Sequence, residues 1–84
     1  MMKNKKHPEL VALKGKIREQ KQSYRTLGKE IGMSVDALNN KINGYSIFNL
    51  DEVNKIVEAL HIDPSEILKI FFPEMLRNAT KNKQ

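Results

Sequence analysis

The stretch SYRTLGKEIGMSVDALNNKING, Ser23 to Gly44, decides how this 84-residue chain folds. Ser23 is a good helix cap, because a hydroxyl oxygen satisfies a backbone N–H that the first turn leaves unpaired. Leu27 and Ile31 follow at i, i+4 and mark the inner side of a short helix. Gly32 stops it, in the left-handed conformation that glycine takes cheaply. One residue after Met33, Ser34 caps a second short helix, whose inward pair is Leu38 and Ile42. Val35, Asp36, Asn39, Asn40 and Lys41 are left pointing outward or sideways, a polar and nearly uncharged face that carries two amides. Asn43-Gly44 is the stop. Gly28 lies mid-helix, where propensity disfavours it, and another helix packing close would account for it.

Upstream, Met1 to Lys6 is polar, basic and without periodicity, so residues 1–8 read as a flexible basic arm. A helix is expected from Pro8, a good first-turn residue, with Glu9 at the positive end of its dipole. Leu10, Leu13 and Ile17 form its inner stripe, and it fades by Lys21. Downstream, Tyr45 to Asn49 is a loop with Ile47 and Phe48 as anchors. A fourth helix runs from a cap at Asn49 to Leu60, with Leu50, Val53, Ile56, Val57 and Leu60 as its stripe and Asp51 and Glu52 in its first turn. A fifth begins at Asp63-Pro64-Ser65-Glu66, with Asp63 as cap and Glu66 reaching back. Ile67, Leu68, Phe71 and Phe72 are its apolar side, Pro73 ends it, and Met75 and Leu76 pack back or add a turn. The expected fold is all-α: five short helices around one small core over residues 9–76, then a disordered tail at 77–84.

The net charge of +5 is unevenly spread: residues 1–44 carry +6, residues 45–72 carry −3, and residues 73–84 carry +2. The basic end is the end that holds Ser23 to Gly44, which suggests nucleic acid or another polyanion as partner; a solvated, lysine-rich surface is the plainer reading. The absence of cysteine excludes disulfides and thiolate metal sites. The longest apolar run, Ile70-Phe71-Phe72, is far short of a bilayer span, and the N-terminus is no signal peptide, so a cytoplasmic protein without membrane contact is expected. His7 and His61 lie far apart without a clustered acid partner, and no phosphate-binding glycine loop is present. No enzyme activity, cofactor, metal or small-molecule ligand is therefore expected.

Ser23-x-x-x-Leu27-Gly28-x-x-Ile31-Gly32-Met33-Ser34, continued through Leu38, Ile42, Asn43 and Gly44, resembles the helix-turn-helix of lambda-repressor-like DNA-binding domains, the phage repressor and Cro group. Phe48-Asn49-Leu50-Asp51-Glu52-Val53 and Asp63-Pro64-Ser65-Glu66-Ile67 resemble that family's fourth and fifth helices, so the likeness covers roughly residues 10–72. The ending Lys41-Ile42-Asn43-Gly44 looks most like small repressors from phages and prophages of Gram-positive bacteria. The resemblance implies a transcriptional regulator that reads double-stranded DNA with the third helix in the major groove. It implies base contacts by Ser34, Val35, Asp36, Asn39 and Asn40, and phosphate contacts by Ser23, Tyr24, Arg25, Lys41, Asn43, Tyr45 and Ser46. Tyr24 stands where the family often has glutamine, and for Tyr24 and Tyr45 partial packing against a helix edge is the competing reading. Many members pair an arginine on the first helix with a glutamate on the third; Ile17 and Ile42 occupy those positions here and are expected to touch. A homodimer is expected, at least on DNA, through Phe71, Phe72, Met75 and Leu76. The rival reading is a helix-turn-helix protein-interaction module, such as an antitoxin, an antirepressor or a polymerase-binding factor. RNA binding lacks a basic groove with stacking aromatics.

Overall fold

The computed structural model describes residues 5–76. The expectations for Met1 to Asn4 and for Arg77 to Gln84 lie outside those residues. The chain is all-α: α1 (Val11–Glu19), α2 (Tyr24–Ile31), α3 (Val35–Ile42) and α4 (Leu50–Leu60) are followed by a 3-10 turn (Pro64–Glu66) that runs directly into α5 (Ile67–Phe71). One more helical turn occupies residues 73–76. The closest helix pairs are α2 with α4, α1 with α5, α2 with α3 and α1 with α3.

Local chemistry sets the helix starts. Ser23 Oγ accepts from the Thr26 N–H at 3.1 Å, and Thr26 Oγ1 accepts in return from the Ser23 N–H at 2.9 Å. Ser34 Oγ accepts from the Ala37 N–H at 3.1 Å. Asn49 Oδ1 accepts from the Glu52 N–H at 2.8 Å, while Glu52 Oε1 accepts from the Asn49 N–H at 2.9 Å. Each arrangement satisfies first-turn donors that would otherwise be orphaned. Gly32 ends α2 with φ 76°, as expected of the turn. Asp63 caps the 3-10 turn through the Ser65 N–H, and that bond holds its carboxyl below the ordinary carboxylate range.

Leu13 and Ile17, Leu27 and Ile31, Leu38 and Ile42, and Val53, Ile56 and Leu60 meet in a single apolar cluster with Phe48, Ile62, Ile70 and Phe71. Ile17 and Ile42 are both members, from two helices that pack on each other. Among the described residues no polar side chain is buried in this core, so none of its stability is spent on desolvating one.

The structure corrects several expectations. α1 starts at Val11 rather than near Pro8, and Glu9 lies outside it. The reason is a tether between distant parts of the chain. The Lys6 and His7 N–H groups both donate to the Gly44 carbonyl at 3.0 Å, and the Leu10 N–H donates to the Ile42 carbonyl at 2.8 Å. Residues 6–10 thus serve the unpaired carbonyls at the end of α3 before α1 can begin. Lys6 and His7 are pinned, although they fall in the stretch expected to be a flexible arm. Glu9 bonds to Lys14 instead of facing a helix dipole, and the hydrogen bond and charge of Lys14 lower its pKa. Ile47 is 59% exposed, so Phe48 alone anchors the loop, and Leu50, at 77% exposure, drops out of the α4 stripe. On α5 Leu68 faces solvent while Ile70 is buried. Gly28 does have a close neighbour, but it is the backbone of the turn: a β-carbon there would lie 2.5 Å from the Met33 carbonyl oxygen.

Candidate nucleic-acid interface

α3 is held by its inner face. Leu38 and Ile42 are fully buried, and the Ser34 cap fixes where the helix begins. Helical periodicity turns Asp36 and Asn40 away from that buried pair and sets Asn39 at its flank, while Val35, seven residues before Ile42, starts the helix at the margin of the inner side. Ser34, Val35, Asp36 and Asn39 are exposed, and Asn40 is half-buried. Four of the five residues expected to reach base edges are thus open to solvent. Asn39 Oδ1 accepts from Asn43 Nδ2 at 3.0 Å, which ties the middle of the outer face to the end of the helix.

The expected phosphate contacts flank this surface unevenly. At the start of α2, Arg25 is exposed, Ser23 is engaged as the cap, and Tyr24 is half-buried with its ring against the core. Packing thus claims part of Tyr24. Beyond α3, Ser46 is exposed, while Asn43 and Tyr45 are half-buried. The Tyr45 N–H donates to the Asn40 carbonyl at 2.9 Å, fixing the path of the loop. Arg18 was assigned no role from the sequence, yet it lines a shallow hollow together with Ser23 and Tyr24. Its only signal was its place on the polar side of the first helix.

Lys41 is the residue whose surroundings differ most from the expectation. Its ammonium donates to both carboxylate oxygens of Glu52, at 2.7 and 2.8 Å, and lies 5.9 Å from the centre of the Phe48 ring. Glu52 is thereby used twice, as the return half of the α4 cap and as the partner of Lys41. Burial is the largest single influence on the Glu52 carboxyl and raises its pKa. The Lys41 hydrogen bond, the Asn49 N–H and the Lys41 charge together outweigh it, and the net result is a pKa below the ordinary 4.5. The two residues are eleven positions apart across a loop, and no local pattern announces their meeting.

Other chemistry finds little footing. Among the described residues no three His, Cys, Asp or Glu side chains converge as metal ligands, and no helix is long and apolar enough to cross a membrane.

Two short helices joined by a glycine turn, the second buried on one side and polar on the other, define a helix-turn-helix domain. Residues 12–73, well over half of the chain, match the model of the Cro/C1-type HTH DNA-binding domain, and the chain belongs to that family. Membership makes it a DNA-binding regulator in general terms. No curated protein matches the chain.

Proposed function

We propose that the protein is a sequence-specific, double-stranded DNA-binding transcriptional regulator of the small phage or prophage repressor or Cro-like kind, acting in the cytoplasm of a bacterial cell. The observation that carries this reading is the contrast on α3 between the fully buried Leu38 and Ile42 and the exposed Ser34, Val35, Asp36 and Asn39, with Asn40 half-buried. With α3 in the major groove, Asn40 bonds adenine through its amide, Val35 covers a thymine methyl, and Asp36 accepts from a cytosine amino group. α3 has no arginine, the side chain best matched to guanine, so sites richer in A·T than in G·C are expected. Arg25 and the loop residues Asn43, Tyr45 and Ser46 meet phosphates and set the register.

One such domain reads few base pairs, so two copies bind half-sites about one helical turn apart. Phe72, Met75 and Leu76 form the pairing surface, beside an apolar hollow of about 90 Å³ that Leu10, Ile47, Phe72 and Met75 help to line. This domain acts by occupying the operator.

A second reading, a protein-interaction module with little DNA binding, is favoured by one observation: Lys41, the only cation on α3, is neutralised by Glu52. Titration with random duplex at low and high salt separates the two. A DNA binder shows weak binding that falls steeply with salt. Absence of binding at low salt favours the interaction module.

A further inference from the structure

Lys41 belongs by position to a DNA-facing helix, but its charge is committed inside the protein. Both carboxylate oxygens of Glu52 receive its ammonium, the Phe48 ring lies beneath it, and about a fifth of each side chain is exposed. Glu52 is itself immobilised, because its Oε1 also completes the α4 cap at Asn49. α3 packs on α1 and α2, so this pair supplies a side-chain tie from α3 to the first turn of α4. A carboxylate already held by the Asn49 N–H does not follow Lys41 when the lysine swings toward a ligand. Breaking the pair also strands a half-buried charge.

Resting on the DNA-binding reading above, we propose that Glu52 is a positioning residue of the interface: it holds Lys41 off the phosphates, so α3 meets DNA with no cation of its own. The consequence is a weaker sequence-independent background. A lysine on phosphate strengthens binding to every sequence alike, so it raises non-specific occupancy without improving the ratio of specific to non-specific binding. With Lys41 withheld, the amides and carboxylate of α3 contribute discrimination against a weaker uniform background.

The test is the salt dependence of binding to random duplex, measured for the wild type, Glu52→Gln, the double variant Lys41→Met/Glu52→Gln, and Glu58→Gln. Glutamine at position 52 can keep the cap while losing the charge. Glu58→Gln makes the same change in net charge at an exposed α4 position away from Lys41. The double variant has the net charge of the wild type, so differences in overall field cancel. Glu52→Gln is expected to steepen the slope of log K against log salt by about 0.9, one additional phosphate contact. Glu58→Gln is expected to change it much less, and the double variant to match the wild type. A double variant shallower than the wild type by about 0.9 overturns the proposal, because Lys41 is then already on phosphate. Equal slopes for Glu52→Gln and Glu58→Gln overturn it too. If Glu52→Gln loses its helical circular dichroism, the wild type and the double variant alone decide. Wild-type protein that binds no duplex at low salt overturns the DNA-binding reading itself, and this proposal with it. That failure shows before any variant is compared.

Discussion

A β-carbon built on Gly28 would lie 2.5 Å from the Met33 carbonyl oxygen, whereas one built on Gly15 has nothing within 4 Å. Both glycines are helical, so propensity alone favours alanine at each by about 1 kcal/mol. The surroundings separate them. Gly15→Ala should raise stability by roughly 0.5–1 kcal/mol. Gly28→Ala should lower the melting temperature, since the obstacle is backbone in the turn that sets α3 against α2. Thermal unfolding of the two variants checks this, and a Gly28→Ala protein as stable as the wild type contradicts it. That Gly28 was unusual could be read from its place in an otherwise good helix. What it packs against could not, because the nearest atom belongs to a turn whose path depends on Gly32. Lys41 taught the same lesson: its place on α3 was legible, its capture by Glu52 was not.

Helix starts follow from short-range patterns, and these were the most legible elements. Ser23, Ser34 and Asn49 were recognisable as caps because the groups they satisfy lie three residues on. α1 was misplaced because its start is decided by the Leu10 N–H reaching the Ile42 carbonyl, a contact that no window along the chain contains. Ser34→Ala should cost about 1 kcal/mol of unfolding free energy, the usual value of such a cap. Recovery of full wild-type stability by Ser34→Ala would argue against the cap as the anchor of α3. The α4 cap makes a pH-dependent prediction. The Glu52 pKa is lowered in the folded protein, so its contribution is fully present above the ordinary 4.5 and disappears as pH falls below that value through the lowered one. The stability difference between wild type and Glu52→Gln should therefore be largest near neutral pH and close as the solution is acidified below 4.5. Glu9 and Asp63 titrate with the same sign but in both proteins, so the difference isolates Glu52. A gap that is constant with pH would mean that the pair contributes nothing to the fold.

For the whole molecule, the sequence showed an apolar surplus near the C-terminal end but not how it divides. Phe71 and Phe72 are neighbours and chemically identical, yet Phe71 is 5% exposed and meets the Phe48 ring edge-on at 5.9 Å, while Phe72 is only half-buried. Phe71 belongs to the core, and the proposed pairing surface is left to Phe72, Met75 and Leu76. Phe71→Ala should then destabilise the monomer by about 3–5 kcal/mol. Phe72→Ala with Leu76→Ala should leave the fold in place and weaken the coupling between half-sites, which operator titration reads directly; unchanged coupling would remove that surface from the account. Charge asymmetry was legible from the outset, since the basic end of the chain carries α2 and α3. The central claim is that the outer face of α3 reads base sequence. It is tested most directly by selecting bound duplexes from a random library with the wild type and with Asn40→Ala. A defined, A·T-leaning site is expected for the wild type, and for Asn40→Ala a loss of preference at one position with non-specific binding retained. Recovery of the same site by both proteins, or of no site by the wild type, would contradict it.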